Sequence, residues 1–445
     1  MGGLPRRATF ISEELKDGVP ALILDSGNLF SDKPLSRAAI SPTLKKADLI
    51  LKSMELMGYQ AVAVGELDLY LGIDNLVKMT EWTPIRFLSA NTKDPTGKPV
   101  FKPSAIFRVG DTRVGVFGLT SRLVDVRLME DRAPGIWIDD PVKTAAALVP
   151  ELRKRCDIVL ALTHLGYNKD RELAQAVEGI DLIVGGRSKT WLKNPAVSGK
   201  TLITSGYFQG RAMGTLTLHL DGPPEKWVSG NRIDFLEKQI KAEREQGPSS
   251  MQTGQTAQFR RELEQAENGT RYDGDMITLM PSLADDETIA AMIRQYRKTL
   301  REEAGKTPGT EDQSALVRFT GFDPCIDCHM GRYNFWKETP HARAIESLKP
   351  KGADADPDCL PCHVTGYLRP TGFSPSAPRE DLHGVQCEAC HGTGSLHSGS
   401  PEIYNLVRAP KVTICLSCHT PDQDDDFDYV RDRALVCGEA VIGDR

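Results

Sequence analysis

Four pentapeptides of one form stand in the last third of the sequence: Cys325-Ile326-Asp327-Cys328-His329, Cys359-Leu360-Pro361-Cys362-His363, Cys387-Glu388-Ala389-Cys390-His391 and Cys415-Leu416-Ser417-Cys418-His419. Two thiols three residues apart can form thioethers to the vinyl groups of a porphyrin, and the imidazole that follows can reach the iron. That chemistry is covalent attachment of haem c. Cys-x-x-Cys pairs also bind zinc or close disulfides. Neither use calls for a His after the second Cys in every copy. The motifs take eight of the ten cysteines of the chain. The expected cofactors are four haem c groups. Their thioethers come from Cys325, Cys328, Cys359, Cys362, Cys387, Cys390, Cys415 and Cys418, and their proximal ligands are His329, His363, His391 and His419.

Haem iron that transfers electrons commonly carries a second axial ligand. Outside the motifs, residues 321–445 contain only three histidines, His341, His383 and His397. These are the expected distal ligands, three for four irons. The count leaves one iron to a five-coordinate state, to a Met such as Met330, to His164 or His219 from upstream, or to a neighbouring subunit.

The elements around these residues fall into three stretches. Residues 321–445 are rich in Gly, Pro, Cys and His and poor in helix or strand signals, which suits a domain whose core is porphyrin. Residues 234–320 are dominated by Lys, Glu, Arg and Gln and read as a helical connector. A helix is expected from about Asp285 to Glu303, closed by Gly305. Exposed helix and partial disorder are equal readings for 245–275. Residues 1–233 alternate apolar strands with amphipathic stretches. Strands are expected at Ala21–Asp25, Gln60–Gly65, Val114–Leu119, Asp157–Leu162, Ile180–Val184 and Leu216–Leu220. Residues 42–57 form a helix with Leu44, Ala47, Ile50, Leu51, Met54 and Met57 on one stripe. Such a pattern means an α/β sheet covered on both faces.

The 445 residues suffice for two or three domains. Hydrophobic content of 40% and charged content of 26% fit a soluble globular protein. A net charge of −6 speaks against nucleic acid as a partner. No apolar run approaches the roughly 20 residues of a membrane helix, so no integral membrane segment is expected. Met1–Arg7 has no apolar signal-peptide core. Haem c is normally attached outside the cytoplasm, so export to the periplasm or beyond is expected, with the signal removed or truncated. Cys156 reads as a core thiol. Cys437 reads as a buried thiol or an intermolecular one. Asp422 and Asp424–Asp426 read as a solvated acidic run or a docking patch.

The haem segment resembles the tetrahaem cytochromes c of nitrifying bacteria over roughly residues 321–400. The resemblance rests on Trp336-Lys337-Glu338-Thr339-Pro340-His341-Ala342-Arg343-Ala344, on Cys362-His363-Val364-Thr365-Gly366-Tyr367, and on Gly384-Val385-Gln386-Cys387 through His391-Gly392-Thr393-Gly394. It implies a loop-rich, mostly α fold. It pairs His341 with the haem of His391 and His397 with the haem of His329, and leaves the haem of His363 five-coordinate. The distal ligand that the family takes from its C-terminal region has no counterpart after His419, and His383 is the substitute for the fourth haem or the second.

Residues 1–233 resemble the metallophosphatase domain of the 5′-nucleotidase family. The matching stretches are Leu24–Phe30, Met57–Glu66, Ser89–Thr92, Val114–Thr120, Leu162–Tyr167 and Gly179–Thr190. The resemblance implies a calcineurin-like sandwich with its first strand missing. The former dinuclear site would lie at Asp25, Asn28, Glu66, Asp68, His164, Arg187 and Lys189. Asn28 replaces the bridging Asp, Gly65-Glu66-Leu67-Asp68 replaces Gly-Asn-His-Glu, and Gly185-Gly186-Arg187-Ser188-Lys189 replaces Gly-Gly-His-Ser-His. His164 alone survives, and one imidazole cannot hold two metal ions. No dinuclear centre and no phosphatase activity are expected. Arg187 and Lys189 are expected in a buried salt-bridge cluster with Asp25, Glu66 and Asp68.

These readings combine into an exported multihaem c-type cytochrome that transfers electrons, its N-terminal domain a scaffold or assembly surface. The expected partners are redox proteins, other multihaem cytochromes among them, and copies of the chain itself in an oligomer or filament. Two other readings stand beside it: a reductase or oxidoreductase of a small nitrogen or sulfur oxide at an open haem, and an active metallophosphatase with a redox accessory.

Overall fold

The computed structural model describes residues 3–32, 35, 37–123, 133–207, 209–220, 224, 226–246, 252–267, 269–304, 317–375, 378–420, 423–424 and 426–437. Gly305, Asp422 and Asp425 lie outside them, as does the side chain of Cys437. The chain divides into two compact units, Met1–Ala290 and Ala291–Arg445.

The strands of the first unit are β1 (Leu24–Asp25), β2 (Ala61–Ala63), β3 (Arg86–Leu88), β4 (Thr92–Lys93), β5 (Ser104–Val109), β6 (Thr112–Thr120), β7 (Trp137–Ile138), β8 (Ile158–His164), β9 (Leu182–Gly185), β10 (Ala196–Ser198), β11 (Thr201–Ser205), β12 (Ala212–His219), β13 (Trp227–Ser229) and β14 (Thr270–Thr278). The main sheet runs β10-β11-β9-β8-β6-β5, and a parallel sheet runs β1-β2-β3. Side chains alternate faces along a strand. On the main sheet Val116, Leu160, Leu162, Leu182 and Leu202 therefore share one core with Ala61, Ala63 and Leu88 of the smaller sheet. Phe117, Leu119, Val159, Ala161 and Ile183 face the other way. They pack on Val149 and Leu152 of helix Pro141–Arg153 and on Leu173 and Ala174 of helix Tyr167–Ala176. Burial on both faces explains the unbroken apolar runs. Each fully buried Leu or Val contributes about 1.5–3 kcal/mol.

Two expectations fail here. Ala21–Asp25 was expected as a buried strand, but only Leu24–Asp25 pairs, and both residues are half-buried. β1 is the edge of its sheet, with β2 as its partner. The helical connector expected over 234–320 is interrupted: Thr270–Thr278 is a strand, antiparallel to β12 and parallel to β13. The helices Gly230–Gln246 and Gln252–Glu267 lead into it, so residues up to Ala290 belong to the first unit. The helix expected near 285–303 is present as Glu287–Ala304, its start capped by Asp286 Oδ1, which accepts from Ile289 N.

The second unit is a set of short helical turns. Its longest helix after 304 is Asp323–Trp336, kinked at His329 (φ −125°, ψ 38°). It also has a small side-chain core of Phe319, Ile345, Leu348, Leu360, Val364, Phe373 and Leu382 around the second motif. The Trp336–His341 turn is tied to the third motif. Trp336 Nε1 donates to Val385 O at 2.9 Å, and Val385 N donates to His341 O at 2.9 Å. Gly384 lies between them at φ 81°, and a Cβ there would meet Ala342 O at 2.6 Å.

Candidate functional site

Each motif folds on a helical turn. Cys325 and Cys328 lie in helix Asp323–Trp336, Cys362 in Leu360–His363, Cys387 and Cys390 in Cys387–His391, and Cys415 ends Val412–Cys415. Positions i and i+3 share a helix face, so both thiols of a motif point one way. The Cys325 sulfur neighbours that of Cys387, and the Cys418 sulfur that of Cys362. The first motif thus adjoins the third, and the second adjoins the fourth.

The imidazoles are oriented. His363 Nδ1 lies 2.6 Å from Ala344 O, His391 Nδ1 2.6 Å from Val407 O, His397 Nδ1 2.7 Å from Tyr404 O, and His419 Nδ1 2.6 Å from Asp424 Oδ2. A partner that accepts from Nδ1–H fixes the tautomer that leaves Nε2 free for a metal.

The distal candidates divide. The rings of His329 and His397 are 6.4 Å apart between centres and 11° from parallel. Two imidazole nitrogens on one metal, about 2 Å each from it, stand about 4 Å apart. Ring centres lie further back on each side, so this spacing accommodates one ion. His341 stands 5.8 Å from His419 at 61°. The resemblance pairs His341 with the haem of His391, whereas the motif imidazole in ring contact with His341 here is that of the fourth motif. The Trp336–Val385–His341 bonds fix where that loop turns. His383 pairs in register with Val364 and its ring lies 5.6 Å from Phe373. The upstream candidates are held in the first unit. His219 Nε2 is 2.9 Å from Asp273 Oδ2, and His164 Nδ1 is 2.7 Å from Ser26 O. Met330 is exposed, as are Phe335, Ile403, Val407, Val412 and Leu416. This apolar surface beside the motifs suits a porphyrin face, and together with the oriented imidazoles it makes the residues fit haem.

In the first unit the seven singled-out residues gather at the C-terminal ends of parallel strands. Glu66 is buried, with Oε1 3.1 Å from Arg187 Nε and Oε2 3.6 Å from His164 Nε2. Burial lowers the pKa of His164. The rest of the expected cluster differs. Asp68 faces backbone: its carboxylate accepts from Gly65 N (2.8 Å), Asn28 N (3.0 Å) and Phe30 N (3.4 Å). Burial pushes it up to about 7. Asn28 Oδ1 accepts from Leu67 N at 2.8 Å. A Cβ at Gly65 would run into Asn28, so the two loops need glycine there. Asp25 lies 4.0 Å from Arg7, and Lys189 is exposed. The ion pair is thus Glu66 with Arg187, buried at its carboxylate end and open to solvent at its guanidinium end, because the loop amides have already claimed Asp68. Cys156 is buried as expected, and burial raises its thiol pKa.

Residues 324–392 match the family model of cytochrome c554 and c-prime. Covalently bound haem c comes with that match. Cytochrome c-554 of Nitrosomonas europaea is 38% identical over 96 residues, which is 18% of this chain and 41% of that protein. The 5′-nucleotidase of Bos taurus is 25% identical over 347 residues, 74% of this chain and 53% of that protein, so the chain spans about half of that relative's length. The sulfate thiohydrolase SoxB of Thermus thermophilus superposes with a TM-score of 0.53 at 20% identity, covering 69% of this chain and 48% of that one. The N-terminal region has the metallophosphatase sandwich fold, followed by cytochrome c554-type sequence. The cytochrome c554 match takes in three motifs with His341 and His383, while His397 and the fourth motif lie beyond it. Two residues of this cytochrome part escaped the sequence reading. Glu388 sits at a variable position of the third motif, where spacing gives no signal. Asp424 belongs by sequence to an acidic run, whose signal is that of a solvated stretch or a docking patch and not of a His partner.

Proposed function

We propose that the chain is an exported tetrahaem cytochrome that relays electrons, with the metallophosphatase-like unit as an inactive scaffold or assembly surface. Bound haem supplies an iron that changes by one electron between ferric and ferrous. Protein residues do the rest. The eight motif thiols hold the porphyrins, and the anchored Nδ1 atoms present Nε2 to iron. His397 and His341 face His329 and His419 as second ligands. Six-coordinate iron changes little in geometry between oxidation states, which favours electron transfer. The observation that carries the reading is the pair of facing rings, 6.4 Å for His329 with His397 and 5.8 Å for His341 with His419. The motif contacts support two adjoining haem pairs, first with third and second with fourth. The partners are redox proteins or further copies of the chain. The test is the intact mass and pyridine haemochrome of exported protein, with four covalent haems per chain expected. Two or fewer would overturn the reading.

A second reading rests on His363 and His391. Among the described residues neither has an imidazole facing it in a ring contact. One of these sites could then take a small nitrogen or sulfur oxide and reduce it. High-spin ferric signals and cyanide or NO binding at part of the haem favour this. A wholly low-spin, cyanide-inert protein eliminates it.

A further inference from the structure

Among the anchored imidazoles, three rest on peptide carbonyls: His363 on Ala344 O, His391 on Val407 O and His397 on Tyr404 O. His419 alone of these four rests on a carboxylate, with Nδ1 2.6 Å from Asp424 Oδ2. Asp424 is held in place by its own backbone, since its N–H donates to Thr420 O at 2.9 Å. Phe427 stacks on the imidazole, ring centres 4.8 Å apart at 23°, and so holds it in the plane that the carboxylate selects. The nearby acids Asp426 and Asp432 both pair with Arg431, which leaves Asp424 to the imidazole.

A carboxylate draws the Nδ1 proton harder than a peptide carbonyl, because a charge-assisted hydrogen bond is about twice as strong as a neutral one. The imidazole then donates more electron density through Nε2, and such outer-shell bonds tune the ligated metal. More donation stabilises ferric over ferrous iron. Hydrogen bonding around the ligands is one of the levers a protein has on haem potential.

We propose that Asp424 is a positioning residue that lowers the reduction potential at the Cys415–Cys418–His419 site. This rests on the tetrahaem reading. Since Cys418 adjoins Cys362, the effect sets the order of potentials across that pair: the His419 site lies below the His363 site, whose imidazole rests on a peptide carbonyl.

The experiment uses the full-chain holoprotein, its covalent haem counted first, in spectroelectrochemical titration with dithionite as reductant. Asp424→Asn keeps an acceptor and removes the charge. One of the four midpoint potentials should rise while the others hold. Asp424→Glu should keep the wild-type value. Asp426→Asn removes the same charge without touching the imidazole and should leave all four in place. Unchanged potentials in Asp424→Asn would overturn the proposal, and so would an equal shift in Asp426→Asn. A wild-type chain without covalent haem at Cys415 and Cys418 overturns the tetrahaem reading instead, before any titration is run.

Discussion

His397 holds its ring within 11° of parallel to that of His329, with 6.4 Å between centres, although 67 positions separate them in sequence. Both lie in the second unit, and His397 is fixed by its Nδ1 contact with Tyr404 O. If the pair brackets one iron, His397→Ala leaves that iron with His329 alone. The covalent haem count should stay the same. Roughly one haem in four should change from low-spin to high-spin ferric in electron paramagnetic resonance and gain cyanide binding. An unaltered spectrum would show that the two rings share no iron.

Glu388 predicts a different kind of loss. It is buried, and its carboxylate accepts from Thr320 N (3.0 Å), Gly321 N (2.9 Å) and Gly394 N (2.6 Å). Glu388→Gln turns one accepting oxygen into a donor that faces these amides. Leaving buried donors unpaired should cost about 2 kcal/mol or more. The urea midpoint of the full-chain holoprotein should fall while the haem count holds. An unchanged midpoint would mean that the loop carries these amides to water instead.

The motifs were legible because their chemistry is written in local spacing. The main sheet was legible because β6, β8 and β9 are buried on both faces and so read as apolar runs. β14 was not: Thr270–Thr278 carries Arg271, Asp273, Gly274 and Asp275, and buries only Tyr272 and Met276 deeply. Its neighbours β12 and β13 supply the pairing that its own sequence does not announce. The partner of His341 was equally hidden. Which motif it faces depends on how the Trp336–Val385 bond turns the loop, and no spacing rule encodes that. Asp68 looked like a counter-ion for Arg187 by residue type, yet three loop amides claim it.

The first unit should show no phosphoester hydrolysis. Asp68 and Asn28 spend their side chains on loop amides, and Glu66 is engaged by Arg187, whose positive charge opposes a metal ion in the same place. Full-chain holoprotein assayed with a nucleoside monophosphate, with and without added manganese or zinc, should release no phosphate above the protein-free rate. Metal-dependent turnover that vanishes in His164→Ala would reverse the reading of this unit as inactive.

Asp170 gives the unit a pH dependence of definite sign. It is buried beside β8, where Oδ1 accepts from Thr163 Oγ1 at 2.6 Å, and burial pushes its carboxyl from 3.8 up to about 7. The folded state therefore binds this proton more tightly than the unfolded state. The stability it contributes is fully present below about pH 4 and is lost as pH rises through about 7. Asp170→Asn keeps an acceptor for Thr163 and stays neutral throughout. Urea unfolding of full-chain holoprotein, followed by far-ultraviolet circular dichroism, should find the variant's stability relative to wild type rising from pH 5 to pH 8. Between those two pH values its advantage should grow by on the order of 1–3 kcal/mol. Asp68 titrates in the same direction in both proteins and cancels in the difference. A variant whose advantage does not grow between pH 5 and pH 8 would mean that Asp170 is ionised in the folded protein at both, with its charge compensated.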